Sequence, residues 1–176
     1  MSPNDAESAI YFGDVDDNDV GRLRYSHSDN SMDFKVNTNI IFKIDSNSKI
    51  SLANNDGGTG NTIFGRGTGG TVASGSNYNV LMGWDVANQG LNGGDFNVSI
   101  GTNSSRSLTS GSYNVAVGSN AHYSITTGHS NTAIGNSALY YNETGNYNVA
   151  VGRDSQGGAD GNSHSNNTSV GYESLK

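Results

Sequence analysis

The chain has no cysteine, which excludes disulfides and thiolate metal sites. Proline occurs once, and hydrophobic residues make up only 32% of 176 positions. That is too little apolar material for the thick core of a doubly wound α/β domain. No apolar run reaches the length of a transmembrane helix, and the N-terminus has no charged-then-apolar signal pattern. A protein of this kind acting outside a cell would travel there as part of a longer chain or a particle. Basic residues are also scarce, nine against sixteen acidic, for a net charge of −7. Nothing resembles a basic stripe for nucleic acid or a polybasic membrane anchor. Neither a nucleic-acid partner nor membrane insertion is expected.

What the chain has instead is glycine, 25 residues of it, with abundant Asn and Ser. Such a composition gives either disorder or a thin, repeated core. The periodicity decides for the second. A five-residue word recurs: Asn, then Val or Thr, a variable residue, an apolar residue, and Gly. Its leading residues are Asn61, Asn79, Asn97, Asn114, Asn131, Asn148 and Asn167, separated by 18, 18, 17, 17, 17 and 19 residues. Fixed periods of this size mark solenoids.

The word is too short for a helix, is rich in β-branched residues and ends in Gly, so it predicts a short strand entering a tight turn. Alternation along a strand puts the Val/Thr and the Val/Ile/Phe/Met positions on one face. It adds the residue before the Asn: Tyr78, Phe96, Tyr113 and Tyr147. This face is expected to be the buried one, with the Asn and the middle residue pointing the other way. A second apolar slot at Val72, Leu91, Leu108 and Ile125 predicts a short strand on the return side. Asn142 takes that slot in the fifth repeat. The polar stretch Gly157-Gly158-Ala159-Asp160-Gly161-Asn162 predicts a bulged coil. Stacked coils bury each other's apolar stripes, and at roughly 4.8 Å per coil seven make a rod about 35 Å long. Equivalent Asn side chains then form a ladder bonded up and down the column. The small residues Ala116, Ala133 and Ala150 point to oligomer contacts across the second face.

Residues 1–55 read differently. They hold 14 of the 25 charged side chains. β-rich stretches at Ala9–Phe12, Val20–Tyr25, Met32–Val36, Ile40–Ile44 and Ile50–Leu52 alternate with turn clusters. They predict a small antiparallel β-meander that caps or leads into a solenoid spanning 56–176.

Two known patterns resemble these repeats. Tyr113–Gly118, Ser130–Gly135 and Tyr147–Gly152 are similar to the recurring word of trimeric autotransporter adhesin heads, which fold as left-handed parallel β-rolls. Thr127-Gly128-His129-Ser130-Asn131-Thr132-Ala133-Ile134-Gly135-Asn136-Ser137-Ala138-Leu139 resembles the tail-fibre repeat of bacteriophages. So do Ala9–Asp14, Asp19–Tyr25 and Asp29–Phe34 in the N-terminal part. The resemblance implies an all-β fold: a left-handed parallel β-roll or β-solenoid of about seven coils, preceded by the meander and assembled as a homotrimer. It implies a structural and attachment segment of a virion tail fibre. The partners would be other copies of the chain, other tail or fibre proteins, and a host cell-surface glycan or protein. The alternatives are an adhesin head on a bacterial surface that binds matrix or glycan, and a polysaccharide-degrading tailspike. The half-repeat ending at Leu175-Lys176 predicts a fragment or processed product of a longer fibre.

No catalytic, cofactor or metal residue is expected. The run Asp14–Gly21 fails an EF-type loop, which wants Gly sixth and Glu twelfth; those places hold Asp19 and Tyr25. Calcium nonapeptide sites need consecutive copies, and Gly157–Asn162 is alone. His27, His122, His129 and His164 lack zinc-ligand spacing and read as solvated turn residues. A glycosidase needs two carboxyls about 5–10 Å apart, and carboxylates are sparse in the repeats: Asp56, Asp85, Asp95, Glu143, Asp154, Asp160 and Glu173. No phosphate loop is present. Trp84, Tyr123, Tyr140 and Tyr141 follow the turn Gly and are candidate surface contacts.

Overall fold

A computed structural model of the chain describes residues 7–13, 21–36, 39–44, 50–51, 58–159 and 163–176. The run Asp14–Val20, the cluster at Asp45–Ser48, Asp56, and Asp160–Asn162 lie outside them. The chain divides into two compact units, Met1–Asn55 and Asp56–Lys176. All the regular elements among the described residues are β-strands.

The first unit is one antiparallel sheet in sequence order: β1 (Glu7–Phe12), β2 (Gly21–Ser26), β3 (Ser31–Val36), β4 (Asn39–Ile44) and β5 (Ile50–Ser51). The sequence predicts this meander, and the register explains its faces. Ile10 pairs with Leu23, Leu23 with Phe34, and Phe34 with Phe42, giving an apolar row across four strands. The next row holds Arg24 opposite Asp33. Asp33 is fully buried, and the Arg24 Nε donates to its Oδ2 at 3.0 Å. Within the unit the apolar face stays open: Ile10, Phe12, Met32 and Phe34 are all exposed.

The second unit is a parallel β-solenoid. Seven three-residue strands stack in order: β6 (Thr62–Phe64), β7 (Val80–Met82), β8 (Val98–Ile100), β9 (Val115–Val117), β10 (Thr132–Ile134), β11 (Val149–Val151) and β12 (Thr168–Val170). Each pairs in register with its neighbour, as in Val115↔Thr132, Ala116↔Ala133 and Val117↔Ile134. Seven strands are joined by six full turns.

The inward face is the opposite of the one that alternation predicts. Leu81, Ala116, Ala133 and Ala150 are fully buried, and so are Asn79, Asn97, Asn114, Asn131 and Asn148. The residues flanking the middle position point out; Met82, Ile100 and Ile134 are exposed. Tyr78, Phe96, Tyr113 and Tyr147 are also outside, at 45–60% exposure. The grouping by alternation holds, with the two flanking positions and the preceding aromatic on one face; what fails is the assignment of that face to the interior. The four aromatics have φ of 56–61°, the left-handed region, so the strand begins after them. The interior of a 17-residue coil is narrow, so small side chains and a bonded Asn fill it. Ala116, Ala133 and Ala150 are therefore core, not oligomer contacts.

The interior is packed in matched pairs. The middle strand residue faces a slot six residues later that is also left-handed. Leu81 is matched with Ala87, Ala116 with His122, and Ala133 with Leu139, all fully buried. Where both are serine, Ser99 Oγ donates to Ser105 Oγ at 2.8 Å. Size on one side is offset by size on the other, as close packing requires. The return side holds no strand among the described residues. Val72, Leu91, Leu108 and Ile125 are buried there, tied by single inter-coil bonds such as Ala73 N–H to the Leu91 carbonyl at 2.8 Å. Asn142, in the same slot, is 2% exposed. Its Nδ2 donates to the His164 carbonyl, and its Oδ1 accepts from Gly145 N–H.

Gly118 shows why each strand ends in glycine. Its φ is 135°, and a Cβ there would lie 2.6 Å from the Gly135 carbonyl oxygen in the next coil. Only a residue without Cβ permits that approach.

Candidate binding surface

The seven ladder residues form one continuous chain of bonds. Asn114 is representative. Its backbone N–H and its Nδ2 both donate to Asn97 Oδ1, at 3.0 and 3.1 Å. The same Nδ2 donates to the Gly128 carbonyl at 2.8 Å. Its Oδ1 in turn accepts from the N–H and Nδ2 of Asn131. The pattern runs from Asn61 to Asn79, to Asn97, and on through Asn148 to Asn167. Each buried amide has its donors and acceptor satisfied, which is the condition for burying it at all. The ladder is internal, so its role is to hold coils together and not to touch a partner.

On the outside, aromatic rings stack along the solenoid. Tyr78, Phe96 and Tyr113 stack at 5.1 Å per step, with planes 19° and 9° apart. The column is interrupted at Ser130 and resumes at Tyr147, which meets His129 edge-on. A second column holds two of the four candidate contacts, and a third lies beside it. Tyr123 and Tyr140 stack at 4.8 Å with planes 3° apart, and Tyr141 meets Tyr140 edge-on at 4.6 Å. Arg106 lies over Tyr123, 5.7 Å from the ring centre, and donates to its hydroxyl at 3.0 Å. Tyr123, Tyr140 and Tyr141 are half-buried. Trp84 is exposed, directly after Gly83 on a different column.

A cavity of about 230 Å³ opens beside the second column. Among the described residues it is lined by Ser137, Tyr140, Tyr141, Asp154, Gly157, Gly158 and Lys176. Sequence reasoning missed the Asp154, Gly157, Gly158 and Lys176 contributions. Their signal was the 17-residue step from Tyr140 to Gly157.

The histidines differ from one another. His122 is fully buried, and neither ring nitrogen has a hydrogen-bond partner among the described residues. It is not a solvated turn residue: burial holds its pKa down at about 3. It is neutral at ordinary pH. His129 Nδ1 is 2.7 Å from Asn146 Oδ1, His27 meets Tyr25 edge-on, and His164 is exposed. Among the described residues no group of three His, Asp or Glu is placed to hold a metal ion.

The carboxylates of the solenoid mostly have partners. Asp95 accepts from Asn77, Asp85 from Asn88, and Asp154 from Arg153. Asp154 and Glu173 occupy equivalent places in successive coils. The Tyr172 hydroxyl and the Lys176 ammonium hold Glu173 below the usual carboxylate range. That is the opposite of what a glycosidase general acid needs. No helix is long and apolar enough to cross a membrane among the described residues. Compared with family models, curated proteins and solved structures, the chain matches none.

Proposed function

We propose that the chain is a structural and attachment segment of a fibre, in the manner of a bacteriophage tail fibre, and that it recognises a surface without catalysis. The observation that carries this reading is the apolar outer face of the parallel sheet. Met82, Ile100, Ile134 and Val170 are exposed on one of its columns, and Val149 on the next. Monomeric proteins rarely leave contiguous apolar surface of this extent uncovered. The open face of the N-terminal sheet, with Ile10, Phe12 and Phe34 exposed, poses the same problem. Three identical copies packed outer face to outer face would cover both kinds of surface. The left hand of the coil and the number three rest on the likeness of the repeats to fibre and adhesin-head sequences. In such an assembly the second aromatic column is the natural surface for a host glycan or protein, and other fibre proteins would join at the rod ends. The location is then the virion.

Adsorption tests this. Fluorescently labelled protein incubated with a panel of bacterial strains should bind some saturably and others not at all. Uniform absence of binding, or equal unsaturable binding to every strain, would remove the attachment role.

A further inference from the structure

We infer that the step between Tyr113 and Ser130, where the first aromatic column is interrupted, is a binding site for one neutral pyranose ring of a surface glycan. The choice of a sugar rests on the attachment reading above; the interruption does not.

Two external columns break at this one step. Within the first, Tyr78, Phe96 and Tyr113 cover one another's faces, so a ring inside the stack shows a partner only its edge. Ser130 holds the next position. Tyr113 therefore stacks on Phe96 and, among the described residues, on no ring at its other face. The residues just before the column form an outer capping ladder. Each backbone N–H donates to a side-chain oxygen one coil on: Asn77 to Asp95, Asp95 to Ser112, His129 to Asn146, and Asn146 to Ser165. The rung from Ser112 to His129 is missing. The His129 imidazole turns the other way, with Nδ1 at 2.7 Å from Asn146 Oδ1 and the ring edge-on to Tyr147. The Ser112 N–H is left without an acceptor among the described residues. The backbone is not the cause. Ser130 N–H donates to the Ser112 carbonyl at 3.0 Å, like its equivalents in other coils. Its φ of 58° equals that of Tyr147, so the position accepts a tyrosine.

The groups at this step select the ligand. The uncovered Tyr113 face is an apolar, flat platform, which suits the C–H face of a sugar ring. The Ser112 N–H is a fixed donor, and the Ser130 hydroxyl both donates and accepts. His129 Nδ1 faces an oxygen that already accepts the His129 backbone N–H. Nδ1 therefore carries the proton, and Nε2 is an acceptor. Sugar hydroxyls donate and accept, so the edge of one ring answers all three groups. No lysine, arginine or carboxylate is among them, which selects a neutral ring. Sites of this kind combine an apolar wall with a few placed polar groups. A ligand of roughly a dozen non-hydrogen atoms with so few contacts would bind with a dissociation constant on the order of millimolar. Several copies on one fibre would then raise the avidity.

The test uses the full chain and three probes: methyl α-glucoside, methyl β-galactoside and methyl β-N-acetylglucosaminide. Binding is followed by saturation-transfer NMR and by the shift of the Ser112 amide resonance. Ser130→Tyr continues the column and covers the Tyr113 face. His129→Asn gives the Ser112 N–H the acceptor that Asn146 gives His129. Ser130→Ala leaves the face open. The expected result is binding of at least one glycoside with a shift at Ser112, weakened by more than roughly tenfold in Ser130→Tyr and by less than about threefold in Ser130→Ala. In His129→Asn the Ser112 shift should vanish and binding should weaken by at least about threefold. Where Ser130→Tyr loses its circular dichroism, His129→Asn decides. The proposal is overturned if no glycoside binds, if either Ser130→Tyr or His129→Asn binds like the parent, or if Ser130→Ala loses as much as Ser130→Tyr. A changed solution mass in Ser130→Tyr also overturns it, because the column lies on the outer face of the sheet and the step would then hold a side chain of another copy. Cell adsorption separates the two readings. Adsorption by the parent without glycoside binding leaves the attachment role standing and removes this site; glycoside binding without adsorption does the reverse.

Discussion

Replacing Asn114 with alanine tests the internal ladder at its middle. The substitution removes four side-chain hydrogen bonds: Nδ2 to Asn97 Oδ1 and to the Gly128 carbonyl, and Oδ1 from the N–H and Nδ2 of Asn131. The losses are unequal. Asn97 Oδ1 keeps the Asn114 backbone donor, and Asn131 Nδ2 keeps the Gly145 carbonyl. The Asn131 N–H and the Gly128 carbonyl lose their partners inside the coil. Each group stranded this way costs about 1–3 kcal/mol, and the emptied volume adds to it. The expected loss is about 3–5 kcal/mol. Asn167→Ala is the internal control. Asn167 is half-buried at the end of the ladder, and its side chain donates one long bond of 3.4 Å to Asn148 Oδ1. Its loss should cost less than about 1 kcal/mol. Urea unfolding followed by far-UV circular dichroism, at one fixed protein concentration, gives both numbers. The reasoning fails if Asn114→Ala lies within about 1 kcal/mol of the parent, or if the two variants lose stability equally.

Three further predictions concern other parts of the molecule. His122 has its pKa lowered to about 3 in the fold, against about 6.5 in an unfolded chain. Stability from this site is therefore complete above pH 6.5 and is lost as pH falls towards 3, by about 2–3 kcal/mol between pH 7.5 and 4.5. His122→Leu, which copies Leu139 in the next coil, should abolish that part of the pH dependence of the urea midpoint; an unchanged pH profile would refute it. Gly118→Ala puts a Cβ 2.6 Å from the Gly135 carbonyl oxygen at φ 135°, so it should lower the free energy of urea unfolding by at least about 2 kcal/mol, whereas Ser119→Ala, one residue on, should not. Ile134→Asp on the exposed outer face should leave the circular dichroism of the isolated solenoid unchanged while reducing the solution mass; an unaltered mass would show that this face is not a subunit contact.

The period was legible because one residue at each corner cannot vary. Gly118 and its equivalents are fixed by backbone approach, and the ladder Asn residues by an amide that must bond in two directions at once. These recur at a countable step. The inward face was not legible. Alternation groups the side chains correctly, but nothing in the letters says that the narrow interior takes the Asn and small middle residues and leaves the larger apolar face outside. The buried His122 was hidden for another reason. Its slot holds Ala87, Ser105, His122, Leu139 and Gln156 in successive coils, because the occupant answers the size of its partner across the coil. A position set by complementarity shows no consensus.

The solution mass of the intact chain, by light scattering across a range of concentrations, tests most directly whether the apolar outer faces pack against one another. A chain of 18.3 kDa assembled as proposed gives three times that mass, unchanged on dilution through the micromolar range. A stable monomer with its outer sheet face open to solvent would contradict the assembly and the fibre role built on it.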